Sequence, residues 1–109
     1  MKIGNIFELE NYIYDPANEF FHSILEYNNI RIEKIISQGH CSPPGFWYDQ
    51  DEYEWVILLQ GKAKLMFFDK EESIELNQGD YLLIAPHEKH RLEWTPKDEK
   101  TIWLAIFFR

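Results

Sequence analysis

The chain has 109 residues, 45% of them hydrophobic and 17% aromatic, enough to enclose one core and too few for two. Its 11 basic and 19 acidic residues give a formal charge of -8, which repels phosphate backbones and anionic membranes and argues against nucleic acid as a partner. Cys41 is the single cysteine, so an internal disulfide and a cysteine-rich zinc module are excluded and a reducing compartment is expected. The stretch MKIGNIFELENYIYD carries charges and asparagine where a signal peptide needs an unbroken apolar run. No segment reaches the roughly 20 apolar residues of a spanning helix, so the expectation is a cytoplasmic protein with no membrane partner.

In chain order, the first region is the ambiguous one. Within Asn18–Tyr27, Phe20, Phe21, Ile24, Leu25 and Tyr27 approximate an apolar stripe, which suits a short helix, with an N-terminal strand as the rival. Residues 1–28 are read as an arm packing on a barrel formed by 29–109. Arg31–Ile36 is an isoleucine-rich strand, followed by a CSPPG loop whose prolines cannot donate ladder hydrogen bonds. Glu54–Gln60 closes at Gly61 and Lys62–Phe68 resumes, which reads as a hairpin. Ser73–Leu76 ends in the turn signal Asn77-Gln78-Gly79-Asp80, and Tyr81–Ala85, His90–Trp94 and Thr101–Phe108 complete the set. Short strands at this spacing, joined by turn residues, indicate an all-β sandwich or barrel.

Strand alternation then sorts the polar residues. Glu54 shares a face with Val56 and Leu58, and His90 shares one with Leu92 and Trp94. A carboxylate and an imidazole facing an apolar interior are costly unless they meet each other, water or a metal ion.

The segments EWVILLQG and QGDYLLIAPHEKH resemble the two motifs of the cupin superfamily, from about Gly39 to Trp94. Glu54 and Gly61 match the glutamate and closing glycine of the first motif, and Gly79 and His90 match the opening glycine and terminal histidine of the second. The first motif's histidine pair is absent. Counting back three residues from Glu54 puts Tyr48 and Gln50 in its place; counting back four puts Trp47 and Asp49 there. The chain is similar to small bacterial cupins that carry a WYDQ-type segment at this point. The resemblance implies a double-stranded β-helix, or jelly roll, that encloses a small-molecule ligand and assembles as a homodimer.

Several chemistries remain open on these residues. Glu54, His90, an oxygen from Gln50 or Asp49, and His87 form a candidate ligand set for one divalent ion, iron, manganese, nickel or zinc, serving a dioxygenase, isomerase or lyase. Without a metal, Glu54 and His90 form a candidate catalytic acid–base pair, since apolar surroundings raise a carboxyl pKa. The rival readings are a non-catalytic ligand-binding module and a barrel kept for oligomerisation. Trp47, Tyr48, Tyr53 and Trp94 are candidates for an aromatic pocket rim. His40 and Cys41 lie next to each other on opposite faces with no third orienting group, which argues against a nucleophile, and His22 is read as structural or exposed.

Overall fold

The computed structural model describes residues 1–9, 11–70 and 72–109; Glu10, and Glu71 of the acidic patch Asp69–Glu72, lie outside the described residues. The described strands are β1 (Phe20–Tyr27), β2 (Ile30–Ser37), β3 (Tyr53–Gln60), β4 (Ala63–Phe67), β5 (Glu72–Leu76), β6 (Tyr81–Ile84), β7 (His90–Trp94) and β8 (Thr101–Phe108). Among the described residues no helix is long and apolar enough to cross a membrane.

The strands form two antiparallel sheets, one ordered β1-β2-β8-β3-β6 and the other β5-β4-β7, the two layers of a jelly roll. Period-two alternation supplies the core. Inward residues Ile35, Val56, Leu58, Ile84, Trp103, Ala105 and Phe107 of the large sheet meet Leu65, Phe67, Leu76 and Leu92 of the small one. Burying each large apolar side chain contributes about 1.5–3 kcal/mol, so the layers hold together by their facing sides rather than by their edges.

Three local expectations are corrected. The segment around Phe20 is a strand, not a helix, because it pairs with β2 from Phe20↔Ile36 to Tyr27↔Ile30. A register shift between Ser23 and Leu25 breaks the alternation and leaves adjacent apolar pairs that mimic a helical stripe. Second, β3 and β4 are not a hairpin: β3 pairs with β6 and β8, whereas β4 pairs with β5 and β7. Gly61, at φ +91, carries the chain from one sheet to the other. A Cβ there would lie 2.7 Å from Thr101 Oγ1 and 2.9 Å from Thr101 Cα, so only glycine fits this crossing. Third, Leu65 pairs with Leu92 but Lys64 with Trp94, which makes Glu93 an extra residue in β7. The bulge turns Trp94 out to 41% exposure and brings Thr95 in to 2%.

The N-terminal segment crosses the large sheet and is pinned to it by polar contacts. Lys34 Nζ donates to the Glu8 carbonyl at 2.6 Å, and the Tyr12 hydroxyl donates to Gln38 at 3.3 Å. The buried His40 accepts the Gln38 N–H on Nδ1, so its Nε2–H donates to the Asp15 carbonyl. That assignment makes His40 a clamp for the arm. Cys41 beside it is exposed, as is His22 on β1.

Candidate functional site

The barrel interior opens into a cavity of about 90 Å³ bordered by residues of both sheets. At about 15 Å³ per enclosed water this is room for roughly six waters or a small organic molecule.

Glu54 enters from β3 and His90 from β7, and both are buried. His90 Nδ1 donates to the Glu88 carbonyl at 2.9 Å, because a carbonyl can only accept; this leaves Nε2 as the nitrogen that faces the cavity. Its ring lies between Tyr48 and Phe67, with centroids 5.4 Å and 5.8 Å away, so its orientation is fixed from both sides. Nε2 stands 3.7 Å from Glu54 Oε1, too far for a direct hydrogen bond, so a proton passing between the two needs a bridging water or ligand atom. Gln50 Nε2 donates to the same Glu54 oxygen at 2.9 Å. Burial pushes the Glu54 carboxyl above the usual carboxylate range, against the lowering pull of the Gln50 bond and the His90 charge.

Backbone pairing decides which of the two countings from Glu54 applies. Tyr48 N–H donates to the His90 carbonyl at 2.7 Å and His90 N–H returns to the Tyr48 carbonyl at 3.1 Å. This isolated bridge aims Tyr48 and Gln50 at the cavity and turns Trp47 and Asp49 away. Trp47 packs edge-on against Phe68 at 5.2 Å and under Arg91, outside the lining. Asp49 pairs with His87 at 2.8 Å on the exposed surface, so neither is placed to share a ligand with Glu54. Trp94 lies under Lys64 and Tyr53 stacks on Phe108, both away from the cavity. Of the candidate set, the structure brings together Glu54, His90, Gln50 and Tyr48.

Glu19 is the member that sequence reasoning missed. It lies just before β1 and turns toward the interior, where Ser37 Oγ donates to its Oε2 and itself accepts the Trp103 indole N–H at 3.1 Å. Burial raises its carboxyl, with the Ser37 bond opposing and the Glu54 charge adding to the rise. The available signal was its position two residues before Phe21, which lines the same cavity. Between these acids the Tyr48 hydroxyl is pushed up to about 12 by burial, with Glu19 and Glu54 adding, and it stays neutral at physiological pH.

This donor set does not fit a tightly held divalent ion. Among the described residues no three His, Cys, Asp or Glu side chains converge as a metal cluster. Gln50 presents its N–H, not its oxygen, to the Glu54 atom that would be the ligand, and the Tyr48 phenol is held protonated.

The family model for the Cupin domain matches residues 34–107. The chain belongs to the cupin family. No curated protein sequence matches this cupin. Among solved structures, a Ralstonia eutropha protein described as a "putative mannose-6-phosphate isomerase" is 37% identical, with a TM-score of 0.89 over 99% of this chain and 98% of the other. A cupin 2 conserved barrel domain protein of Salinispora arenicola is 19% identical, with a TM-score of 0.76 over 100% and 89%. A cupin-2 domain protein of Shewanella frigidimarina is 21% identical, with a TM-score of 0.65 over 83% and 80%. The last two share the fold.

Proposed function

We propose that this cupin binds a small organic molecule inside the barrel and moves a proton on it with Glu54 and His90, without a resident metal. The observation that carries the reading is the pair itself, a raised carboxyl and an oriented imidazole 3.7 Å apart at the wall of a mostly apolar cavity. Such a pair has a carboxyl tuned toward neutral pH and a nitrogen able to take or return the proton. The likeness to the Ralstonia eutropha protein supports this reaction type, because aldose–ketose isomerisation transfers a proton between neighbouring carbons. A sugar phosphate is a poorer match, since no lysine or arginine lines the cavity. A cytoplasmic location suits the exposed thiol of Cys41.

The test joins elemental mass spectrometry with ligand-observed NMR in D2O, using untagged protein and a panel of small carbonyl and hydroxyl compounds. The expected result is substoichiometric metal, binding of panel members, and deuterium incorporation that Glu54→Gln abolishes while binding persists. Near-stoichiometric iron, manganese, nickel or zinc, lost in both Glu54→Ala and His90→Ala, would overturn the metal-free reading. Binding without exchange would leave a non-catalytic ligand module.

We also propose a homodimer formed through the outer face of the large sheet. Its support is an apolar row, Leu25, Ile32, Ile106, Trp55 and Leu83, in register across all five strands. Light scattering should give a dimeric mass for the wild type and a monomeric one for Leu83→Glu. A monomeric wild type refutes the assembly.

A further inference from the structure

Glu19 and Glu54 border one cavity, and the residues that line it include no lysine or arginine. Arg31, the cation whose charge reaches Glu54, is already held by Glu33 at 2.9 Å and Glu52 at 3.2 Å and lies over the Phe107 ring. His90 adds no positive charge while neutral. Its side chain is 7% exposed, and its Nε2, with Glu54 no nearer than 3.7 Å, enters the cavity without a hydrogen-bond partner among the described residues. The polar part of the wall is therefore rich in acceptors, with the buried Glu54 and the half-buried Glu19 facing it and no lysine or arginine beside them.

The apolar part points the same way. Phe21, Tyr48, Trp103 and Phe107 surround these acids, and aromatic faces attract positive charge. Resting on the reading of the interior as a ligand site, we propose that the cavity takes a small organic ammonium ion, its nitrogen held by Glu19 and Glu54 and its carbon body by the aromatic wall. A volume of about 90 Å³ suits a molecule of roughly five or six non-hydrogen atoms. Phosphates and carboxylates are refused by the same two acids. An alcohol of equal shape fills the space but leaves the acids uncompensated.

Isothermal titration calorimetry near neutral pH with isobutylammonium, isobutanol and isobutyrate tests this, because the three share a branched four-carbon skeleton, have about five or six non-hydrogen atoms and differ in head charge. Wild-type protein should bind the ammonium about tenfold or more tighter than the alcohol, and the isobutyrate not at all. Glu19→Gln and Glu54→Gln keep the side-chain shape. Each should weaken the ammonium by about ten- to a hundredfold and leave the alcohol unchanged. Alcohol or isobutyrate binding as tightly as the ammonium overturns the cation assignment and leaves the interior site standing, as does ammonium affinity unchanged in both variants. If none of the three binds, the cation assignment falls, while binding of any member of the carbonyl and hydroxyl panel keeps the interior site. The wild-type order of the three probes is decisive even where a variant fails to fold.

Discussion

Replacing Ser37 by alanine removes a single hydroxyl that serves two partners. Ser37 is fully buried; its Oγ accepts the Trp103 indole N–H at 3.1 Å and donates to Glu19 Oε2. Alanine occupies nearly the same space, so the change in packing is small and the cost comes from the orphaned groups. An indole N–H left without a partner costs about 1–3 kcal/mol, and a carboxylate losing a hydrogen bond costs about 1.5–3 kcal/mol. The second figure is an upper bound, because Glu19 is already raised by burial and can retreat to its protonated form. The expected loss is about 2–4 kcal/mol, a large share of a domain's total of about 5–15 kcal/mol. For 109 residues each kcal/mol lowers the melting midpoint by about 4 °C, so the midpoint should fall by about 8–16 °C. Urea unfolding followed by tryptophan fluorescence measures this, with an unchanged slope showing that the unfolded state is the same. A cycle with Glu19→Gln should return a coupling of about 1 kcal/mol. A Ser37→Ala variant within about 0.5 kcal/mol of wild type would show that the relay from Trp103 to Glu19 contributes nothing, and the argument for how Glu19 is aimed would fail.

Three further outcomes follow from the geometry. Glu54 titrates above its unfolded value of about 4.3, so the folded state holds a proton that the unfolded chain has released. The stability that this group contributes is full below about pH 4.3 and is lost as pH rises through the raised folded value; Glu54→Gln should therefore gain on wild type across that window, and a pH-independent difference in chemical denaturation would refute it. Gly61→Ala places a Cβ 2.7 Å from Thr101 Oγ1 at φ +91 and should cost at least about 2 kcal/mol, whereas a variant within about 1 kcal/mol would show that the sheet crossing can yield. His87→Gly removes an exposed pair with Asp49 worth about 0–1 kcal/mol and relieves φ +61, so thermal stability should change by less than about 1 kcal/mol. Isobutylammonium affinity should also hold; its loss would place His87 in the site.

Much of the barrel was legible because its strands obey one local rule. From Arg31 onward, alternation and turn residues locate the seven strands β2 to β8 with ends within a residue or so, since each inward residue pays for burial individually. What failed was non-local or irregular. Sheet membership of β3 and β4 depends on which distant strands they meet, and a glycine between two apolar runs looks the same in a hairpin and in a crossing. Bulges defeat alternation outright, at Ile24 in β1 and at Glu93 in β7, where one extra residue sends Trp94 to solvent. In the site, Glu54 and His90 sit on the regular first halves of β3 and β7, ahead of the register shifts in those strands, and the period places both inward. Tyr48 and Gln50 sit on a loop, where no period applies, and only the backbone bridge from Tyr48 to His90 aims them.

Glu19 shows how the ligand chemistry divides along the chain. Glu54 and His90 come from the matched region, residues 34–107, and their proximity follows from the register of the barrel. Glu19 comes from outside it, carried in by β1 and tied through Ser37 to Trp103. On the proposed reading the barrel alone supplies the proton-transfer pair, and the N-terminal strand supplies the second acid that selects what the pair acts on. A barrel of the same register with a different residue at position 19 would keep the pair and lose the preference for a cation. On that reading the selectivity depends on an edge strand held by β2 along one side, whereas Glu54 sits on β3, which pairs on both sides, and His90 on β7, an edge strand of the small sheet, with its ring held between Tyr48 and Phe67.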